Sequence, residues 1–205
     1  MKSVRNKIRE ENKTQEAART ITPEQPEIAG LVTRATGGDF EAFGELYSIY
    51  LDRIYRYVFY QVKDKMTAED VTEEVFLKAW KAIGSCKGKE LTFSPWLYRI
   101  AHNHIIDYLR SRQKYLSTKY SATEVGNIAE VGGPEPEVEA KLEWQGLLET
   151  ISCLPQNQKQ VVLLKFTEGL DNREISHIMG KSQGAIRVLQ MRALATLRRR
   201  LSSEK

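Results

Sequence analysis

The stretch Trp96-Leu-Tyr-Arg-Ile-Ala-His-Asn-His-Ile-Ile-Asp-Tyr-Leu-Arg110 separates into two faces when it is drawn as a helix at about 100° per residue. One face is an apolar arc suited to packing in a core; it consists of Leu97, Ala101, Ile105, Tyr108 and Leu109. The opposite face carries an aromatic ring, guanidinium groups and an amide, which can stack on bases, hold phosphates and bond to base edges. It consists of Trp96, Arg99, Asn103, Asp107 and Arg110. The stretch therefore predicts a helix that contacts nucleic acid.

The composition favours a globular protein without disulfides or metals. The chain has 205 residues, of which 28% are charged, and a formal net charge of +4. Its two cysteines, Cys86 and Cys153, lie far apart and form no Cys-x-x-Cys pair, so we expect neither a disulfide framework nor a zinc site. No apolar run approaches the roughly 18 residues of a membrane span, and the N-terminus lacks an apolar signal core. We expect a cytoplasmic protein that does not insert into membranes and needs no cofactor.

Helical spacing of apolar residues dominates the sequence and predicts an all-α fold of two small helical domains. From 38 to 62 apolar residues recur every three or four positions, with Asp39 placed as the helix N-cap. A second helix is predicted from about Thr67, in a loose capping-box position, to Ile83. A loop over 84–92 then leads into the helix that contains Trp96.

Charge and glycine content divide the chain into four parts. Residues 1–27 have mixed charge and two prolines near their end, which favours a disordered tail. Between 120 and 140 there are five glutamates, no lysine or arginine, and the run Gly132-Gly133-Pro134, which predicts a flexible acidic linker. We therefore place the first helical domain at 28–118, the linker at 119–137 and the second helical domain at 138–205.

The second domain has the pattern of a helix-turn-helix. A helix from Leu154-Pro155 to about Thr167 ends at Glu168-Gly169, a short helix over 172–179 stops at Gly180, and Ser182 is placed to cap a long final helix. From 159 to 200 there are nine lysines and arginines against three acids, a local charge of +6 that suits contact with DNA phosphates. One side of the final helix carries groups that read major-groove edges; they are Gln183, Gly184, Arg187, Gln190 and Met191.

Four blocks in this order resemble bacterial RNA polymerase sigma factors of the extracytoplasmic-function (ECF) group. They lie at 38–47, 68–80, 93–110 and 154–187, and they include Ala68-Glu-Asp-Val-Thr-Glu-Glu-Val-Phe-Leu-Lys-Ala-Trp80 and Gly184-Ala-Ile-Arg187. The resemblance implies an alternative sigma factor that binds core RNA polymerase through its β′ and β subunits and recognises the −35 and −10 promoter elements. Such a protein assists promoter opening and directs transcription initiation, and an anti-sigma factor commonly holds it inactive. The first domain would be sigma region 2 and the second sigma region 4.

The resemblance also assigns residues to three surfaces. The surface for core polymerase consists of Asp70, Glu73, Glu74, Leu77 and Trp80. The surface for the −10 element consists of Lys87, Lys89, Phe93, Trp96, Arg99, Asn103 and Arg110. The surface for the −35 element consists of Arg173, Ser182, Gln183, Gly184, Arg187, Gln190 and Met191.

Structural interpretations of the same residues stay open at this point. Trp96 can be a half-buried aromatic at the start of a helix, and Asp107 can pair with Arg110 or Arg99 rather than contact DNA. Arg187 can touch a phosphate as readily as a base. His102 and His104 point to different sides of a helix and are interpreted as surface residues rather than metal ligands.

A helix-turn-helix regulator that does not bind core polymerase is the alternative function. Such a regulator would need a receiver or ligand-binding domain, and the N-terminal half lacks the alternating strands of one. A nucleic-acid enzyme is disfavoured, because no nucleophile–base set and no phosphate-binding glycine loop is apparent. We therefore expect a protein that is not an enzyme.

Overall fold

The computed structural model describes residues 25–86, 93–119 and 150–203, which are helical throughout apart from their turns. Seven helices of seven residues or more lie in the described ranges, four in the first domain and three in the second. The helices are α1 (Gln25–Thr36), α2 (Phe40–Val62), α3 (Lys65–Ala82), α4 (Phe93–Lys119), α5 (Gln156–Val162), α6 (Asn172–Met179) and α7 (Gln183–Ser203). A 3₁₀ turn, Ile83–Ser85, follows α3, and a π-helical turn, Leu163–Thr167, extends α5. The all-α prediction is confirmed, whereas most of the predicted linker and the tail before 25 lie outside the described residues.

Helix α1 was not predicted, and it corrects the end of the predicted disordered tail. The helix begins at Gln25, so residues 25–27 belong to it rather than to a tail. Ala35 is fully buried, and Ile28, Leu31 and Val32 pack against the core at helical spacing. This spacing is visible in the sequence, but the segment is short and gains its stability from the apolar surface of α2.

The helices of the first domain begin where short acidic side chains bind free backbone N–H groups. Asp39 accepts a bond of 3.1 Å from the N–H of Ala42 at the start of α2, as predicted. Asp64 accepts a bond of 2.8 Å from the N–H of Thr67, so Asp64, and not Thr67, caps α3. Each such cap stabilises a helix by about 1 kcal/mol.

The apolar arc of α4 lies at the centre of the first domain. Leu97, Ala101 and Ile105 are fully buried and meet core side chains of α2 and α3, among them Ile54 and Val75. Full burial of each large aliphatic side chain is worth about 1.5–3 kcal/mol. This packing fixes the rotation of α4 and leaves its opposite face toward solvent.

The second domain is a helix-turn-helix built on α6 and α7. Asp171 and Glu174 form a capping box at the start of α6. The Asp171 carboxylate accepts hydrogen bonds from the backbone N–H groups of Arg173 and Glu174, and the backbone N–H of Asp171 donates to the Glu174 carboxylate. Gly180 ends α6 with φ of 61°, a left-handed conformation that glycine adopts without strain. Ser182 then accepts a bond of 3.2 Å from the N–H of Ala185 and caps α7, as predicted.

Candidate polymerase and nucleic-acid interfaces

The polar face of α4 is open to solvent over most of its length. Arg99, Asn103 and Arg110 are exposed, on the side opposite the buried arc. Trp96 is half-buried, with its ring centroid 5.6 Å from that of Phe93. The guanidinium and amide ends can therefore reach a strand laid along the helix, while Trp96 offers one edge of its ring.

Phe93 corrects the predicted −10 surface. Its side chain is only 4% exposed and its ring centroid lies 5.2 Å from that of Tyr50, so it belongs to the core of the domain. A residue that starts a helix can face either way, and the sequence does not settle which. Lys87 and Lys89 lie outside the described residues.

Arg110 makes a weak contact within its own helix. Its Nη1 lies 3.5 Å from Oδ1 of Asp107, as the structural interpretation of Asp107 predicted. Both side chains are largely exposed, so this pair contributes at most about 1 kcal/mol. The pairing orients Arg110 at little cost and leaves most of its donors for a phosphate.

An acidic and apolar surface covers the outer side of α3. Asp70, Glu73 and Glu74 are exposed, and Leu77 among them is 52% exposed. Oε2 of Glu74 also lies 2.9 Å from Nε2 of His104, so this part of α3 is in contact with α4. A single exposed leucine is common on protein surfaces, so Leu77 counts only together with the acidic side chains around it as one candidate surface.

An aromatic group that the sequence did not indicate extends this surface. Trp80 is half-buried between Phe43, with ring centroids 4.9 Å apart, and Phe40, with centroids 5.5 Å apart and nearly perpendicular rings. Phe40 is 71% exposed although its spacing fits the buried face of α2. It lies in the first turn, where the core does not reach it.

Some residues assigned to the −35 element are exposed, and others make hydrogen bonds within the helix-turn-helix. Arg173 is exposed on α6, and four residues of the predicted set on α7 are also exposed: Gln183, Gly184, Arg187 and Met191. Gln190 is half-buried and donates a hydrogen bond of 2.8 Å to Oδ1 of Asn172, so it joins the two helices of the motif. Ser182 is occupied as the cap of α7.

His102 is not a surface residue, contrary to the prediction. It is 8% exposed, and its pKa is lowered to about 4, mainly by burial and secondly by the positive charge of Lys181. Lys181 belongs to the turn of the helix-turn-helix, so the second domain covers this side of α4. Within the described ranges, no group of three potential ligands could hold a metal ion.

Two family models match this chain, in two separate stretches. The model of Sigma-70 region 2 matches residues 46–115, and that of Sigma-70, region 4 matches residues 144–197. The chain is 39% identical over 174 residues to the ECF RNA polymerase sigma factor BldN of Streptomyces coelicolor, with 85% of this chain and 66% of BldN covered. It is 31% identical over 156 residues to the ECF RNA polymerase sigma factor SigM of Bacillus subtilis, with 75% of this chain and 91% of SigM covered.

A solved structure shares the fold at low identity. The sigma factor RpoE from Bartonella quintana, solved in complex with the anti-sigma factor NepR, gives a TM-score of 0.66 at 18% identity. The match covers 80% of this chain and 98% of RpoE. Two family models in the right order and relatives aligned across both domains establish that the chain belongs to the ECF group of RNA polymerase sigma factors.

Proposed function

We propose that this chain is an alternative sigma factor whose α3 binds core RNA polymerase, whose α4 reads the −10 element and whose α7 reads the −35 element. The observation that carries the proposal is the exposure of three chemically distinct faces on a scaffold whose opposite faces are buried. A sigma factor needs all three, because it joins an enzyme to two separate DNA sites.

The α3 surface fits a basic and partly apolar partner. Asp70, Glu73 and Glu74 supply negative charge, and Leu77 supplies apolar area that loses contact with water on binding. Such a face suits the coiled coil of the polymerase β′ subunit. Negative charge of this kind mainly raises the association rate, while burial of Leu77 on binding slows dissociation of the complex.

The α4 surface fits a single strand better than a duplex. Stacking of one base on an aromatic ring is worth about 1–3 kcal/mol, and the half-buried Trp96 lies on the same face of α4 as Asn103, two turns away. Arg99 and Arg110 are placed to hold the phosphates on either side. These contacts would stabilise the non-template strand as the promoter opens.

The helix-turn-helix supplies the duplex contact. Arg187 and Gln183 are exposed on the first two turns of α7, where a recognition helix meets base edges in the major groove. Arg173 on α6 is placed for the sugar–phosphate backbone. Gln190 supports this surface through Asn172 rather than reading DNA itself.

We also infer an anti-sigma partner and a cytoplasmic location. RpoE of Bartonella quintana was solved with the anti-sigma factor NepR, and CnrH, which shares the fold, was solved with the cytosolic domain of CnrY. No helix in the described part of the chain is long and apolar enough to cross a membrane. A sigma factor works beside the nucleoid and acts by binding rather than by catalysing a reaction.

A run-off transcription assay with purified core polymerase tests the proposal. The full chain should direct specific transcripts from a genomic fragment library, and the double substitution Leu77→Ala, Asp70→Ala should reduce polymerase binding by tenfold or more. Glu69→Ala is the matched control, since it removes the same charge about 100° around the same helix. Equal binding by the double variant and the control would refute the α3 assignment, and specific DNA binding without any transcription would favour a plain regulator.

A further inference from the structure

A buried carboxylate joins the two domains of this protein. The side chain of Glu168, at the end of the π-helical turn, is 1% exposed. Its Oε2 accepts hydrogen bonds from Nε of Arg53, at 3.2 Å, and from the hydroxyl of Tyr98. Nη2 of Arg53 also donates to the backbone oxygen of Glu168, at 3.3 Å. We call these three hydrogen bonds, among Glu168, Arg53 and Tyr98, the Glu168 contact.

The surroundings of this contact are apolar and tightly packed. Tyr57 and Tyr98 are at most 1% exposed, and their rings pack edge to face with centroids 5.4 Å apart. The guanidinium carbon of Arg53 lies 5.5 Å from the ring centroid of Tyr50. A carboxylate in such a setting is stable only while its charged and hydrogen-bonding partners stay in place.

Further contacts continue the same interface. Helix α4 of the first domain packs on α6 of the second. His102 on α4 is buried at this interface, where it is near Lys181. Nε2 of Gln156 on α5 donates to Oε1 of Gln61 on α2, at 2.8 Å. The two domains therefore meet directly through several elements of each.

We propose that the surface formed by Arg53, Tyr98 and His102 is a docking site for the chain's own second domain, and that the Glu168 contact holds the protein closed when no polymerase is bound. The partner is identified by its chemistry: a carboxylate that can enter the pocket between an arginine and a tyrosine hydroxyl. The docking of the two domains does not depend on the proposed function. Its consequence for promoter binding does rest on the proposed function.

The closed form is too small to occupy both promoter elements. The −10 and −35 elements are centred about 25 base pairs apart, which at about 3.4 Å per base pair is about 85 Å of duplex. A compact body of about 140 residues has a radius of gyration of about 14 Å and is about 40 Å across. The domains must separate before α4 and α7 reach their elements, so breaking the Glu168 contact is a step on the way to a promoter complex.

The α3 surface stays exposed in the closed form, but only the open form can hold polymerase with its two DNA-binding helices spread apart. Closure would therefore lower the apparent affinity for polymerase by the fraction of molecules that are open. Substitutions that break the Glu168 contact should then strengthen polymerase binding several-fold, although none of them lies on the α3 surface. This direction is diagnostic, because ordinary loss of folding would weaken binding instead.

The test is energy transfer between dyes on the two domains of the full chain. One dye is placed on Cys153 and the other on a cysteine introduced by Lys81→Cys, in a Cys86→Ser background. Tyr98→Phe removes a hydroxyl that bonds to Glu168, while Tyr57→Phe removes a neighbouring buried hydroxyl that has no hydrogen-bond partner among the described residues. We expect transfer efficiency to fall in Tyr98→Phe and Glu168→Gln and to stay unchanged in Tyr57→Phe.

Two further variants separate closure from folding. Arg53→Ala breaks the contact from the first domain and leaves the second domain unaltered, so it keeps the test valid if Glu168→Gln unfolds its own domain. Far-ultraviolet circular dichroism should match the unsubstituted chain in each variant that is interpreted. Unchanged transfer efficiency in Tyr98→Phe and Arg53→Ala, with folding intact, would overturn the docking surface.

Binding of the same variants to core polymerase is measured separately. Opening variants that bind core polymerase no better than the unsubstituted chain would overturn the inhibitory role. If the unsubstituted chain binds no polymerase at all, the proposed function fails, and the energy-transfer result still decides whether the domains dock.

Discussion

Asn103 and Arg187 lie in different domains, yet each projects a polar end into solvent from a helix that is fixed from its other side. Beneath Asn103, α4 is held by Leu97 and Ile105, and beneath Arg187, α7 is held by Ile186. The backbone that carries each side chain is already ordered, so binding restricts only the side-chain rotamers, which favours selective contacts. At the scale of single residues, these two are the sharpest tests of base recognition.

Arg187→Ala should remove discrimination at one base pair of the −35 element. A bidentate arginine–guanine contact is worth about 1–3 kcal/mol, so the preference for the correct base should fall by about 5- to 150-fold. Fluorescence anisotropy with duplexes that differ at single positions measures this. Arg198→Ala, exposed on the same helix well beyond the first turns, is the control and should affect all duplexes alike. An equal loss on every duplex in Arg187→Ala would show that Arg187 contacts phosphate.

Asn103→Ala should impair promoter opening without affecting folding. The side chain is exposed, so its loss leaves no cavity, and removal of an amide that reads a base should cost about tenfold or more in open complex. Permanganate reactivity of unpaired thymines reports the open complex. Asp107→Ala, on the same stripe but paired with Arg110, should have a smaller effect. A larger effect of Asp107→Ala would reverse the two roles.

Helix α6 is the element on which the geometry of the helix-turn-helix depends. It has only eight residues, too few to be stable alone, and it is held by a capping box at one end and a left-handed glycine at the other. Its buried side chains, Ile175 and Ile178, meet the core of the second domain. The residues that cap α6 at its two ends and the packing of its buried side chains therefore together fix the position of α7.

Asp171→Ala should destabilise the second domain by about 0.5–2 kcal/mol, because two backbone N–H groups lose their acceptor. Urea denaturation of the full chain, followed by helical circular dichroism, measures the loss. Asp171→Ser is the control, since serine also caps helices well. A loss with serine as large as with alanine would show that the charge, rather than the cap, matters.

At the scale of the whole molecule, the interface between the domains couples opening to protonation in two opposing ways. The pKa of His102 is about 4 against an ordinary 6.5, so His102 stabilises the closed form above pH 6.5, and this contribution is lost as the pH falls toward 4. Burial raises the pKa of Glu168 above its ordinary 4.5, so Glu168 favours closure at low pH, and this contribution is lost as the pH rises through the raised pKa. These two effects act in opposite directions, so substitution gives a clearer test of opening than acid does.

His102 is nevertheless a site-specific reporter of closure. In the full chain its imidazole should titrate near pH 4, and in Arg53→Ala it should move toward 6.5, because opening removes both the burial and Lys181. A nuclear magnetic resonance titration of the histidine ring protons measures both values. An unchanged His102 pKa in Arg53→Ala would contradict opening.

The sequence by itself determined the helical fold and most of the exposed faces, because helical periodicity and cap residues act within a few positions of each other. The arc Leu97, Ala101 and Ile105 is buried, and Asp39 and Ser182 cap their helices as predicted. Helix α1 carried the same signal but was missed, since a short amphipathic segment after a charged tail resembles disorder.

Only the tertiary structure decided which side chains near helix ends and domain borders are covered. Phe93 is buried against Tyr50, and Phe40 is exposed beside Trp80, although both are phenylalanines at the first position of a helix. Glu168 lies 70 positions from Tyr98 and 115 positions from Arg53 along the chain, so no local pattern predicts that they meet. Periodicity reveals which face of a helix is apolar, whereas burial of a polar group depends on a partner from a distant element, which only the folded chain supplies.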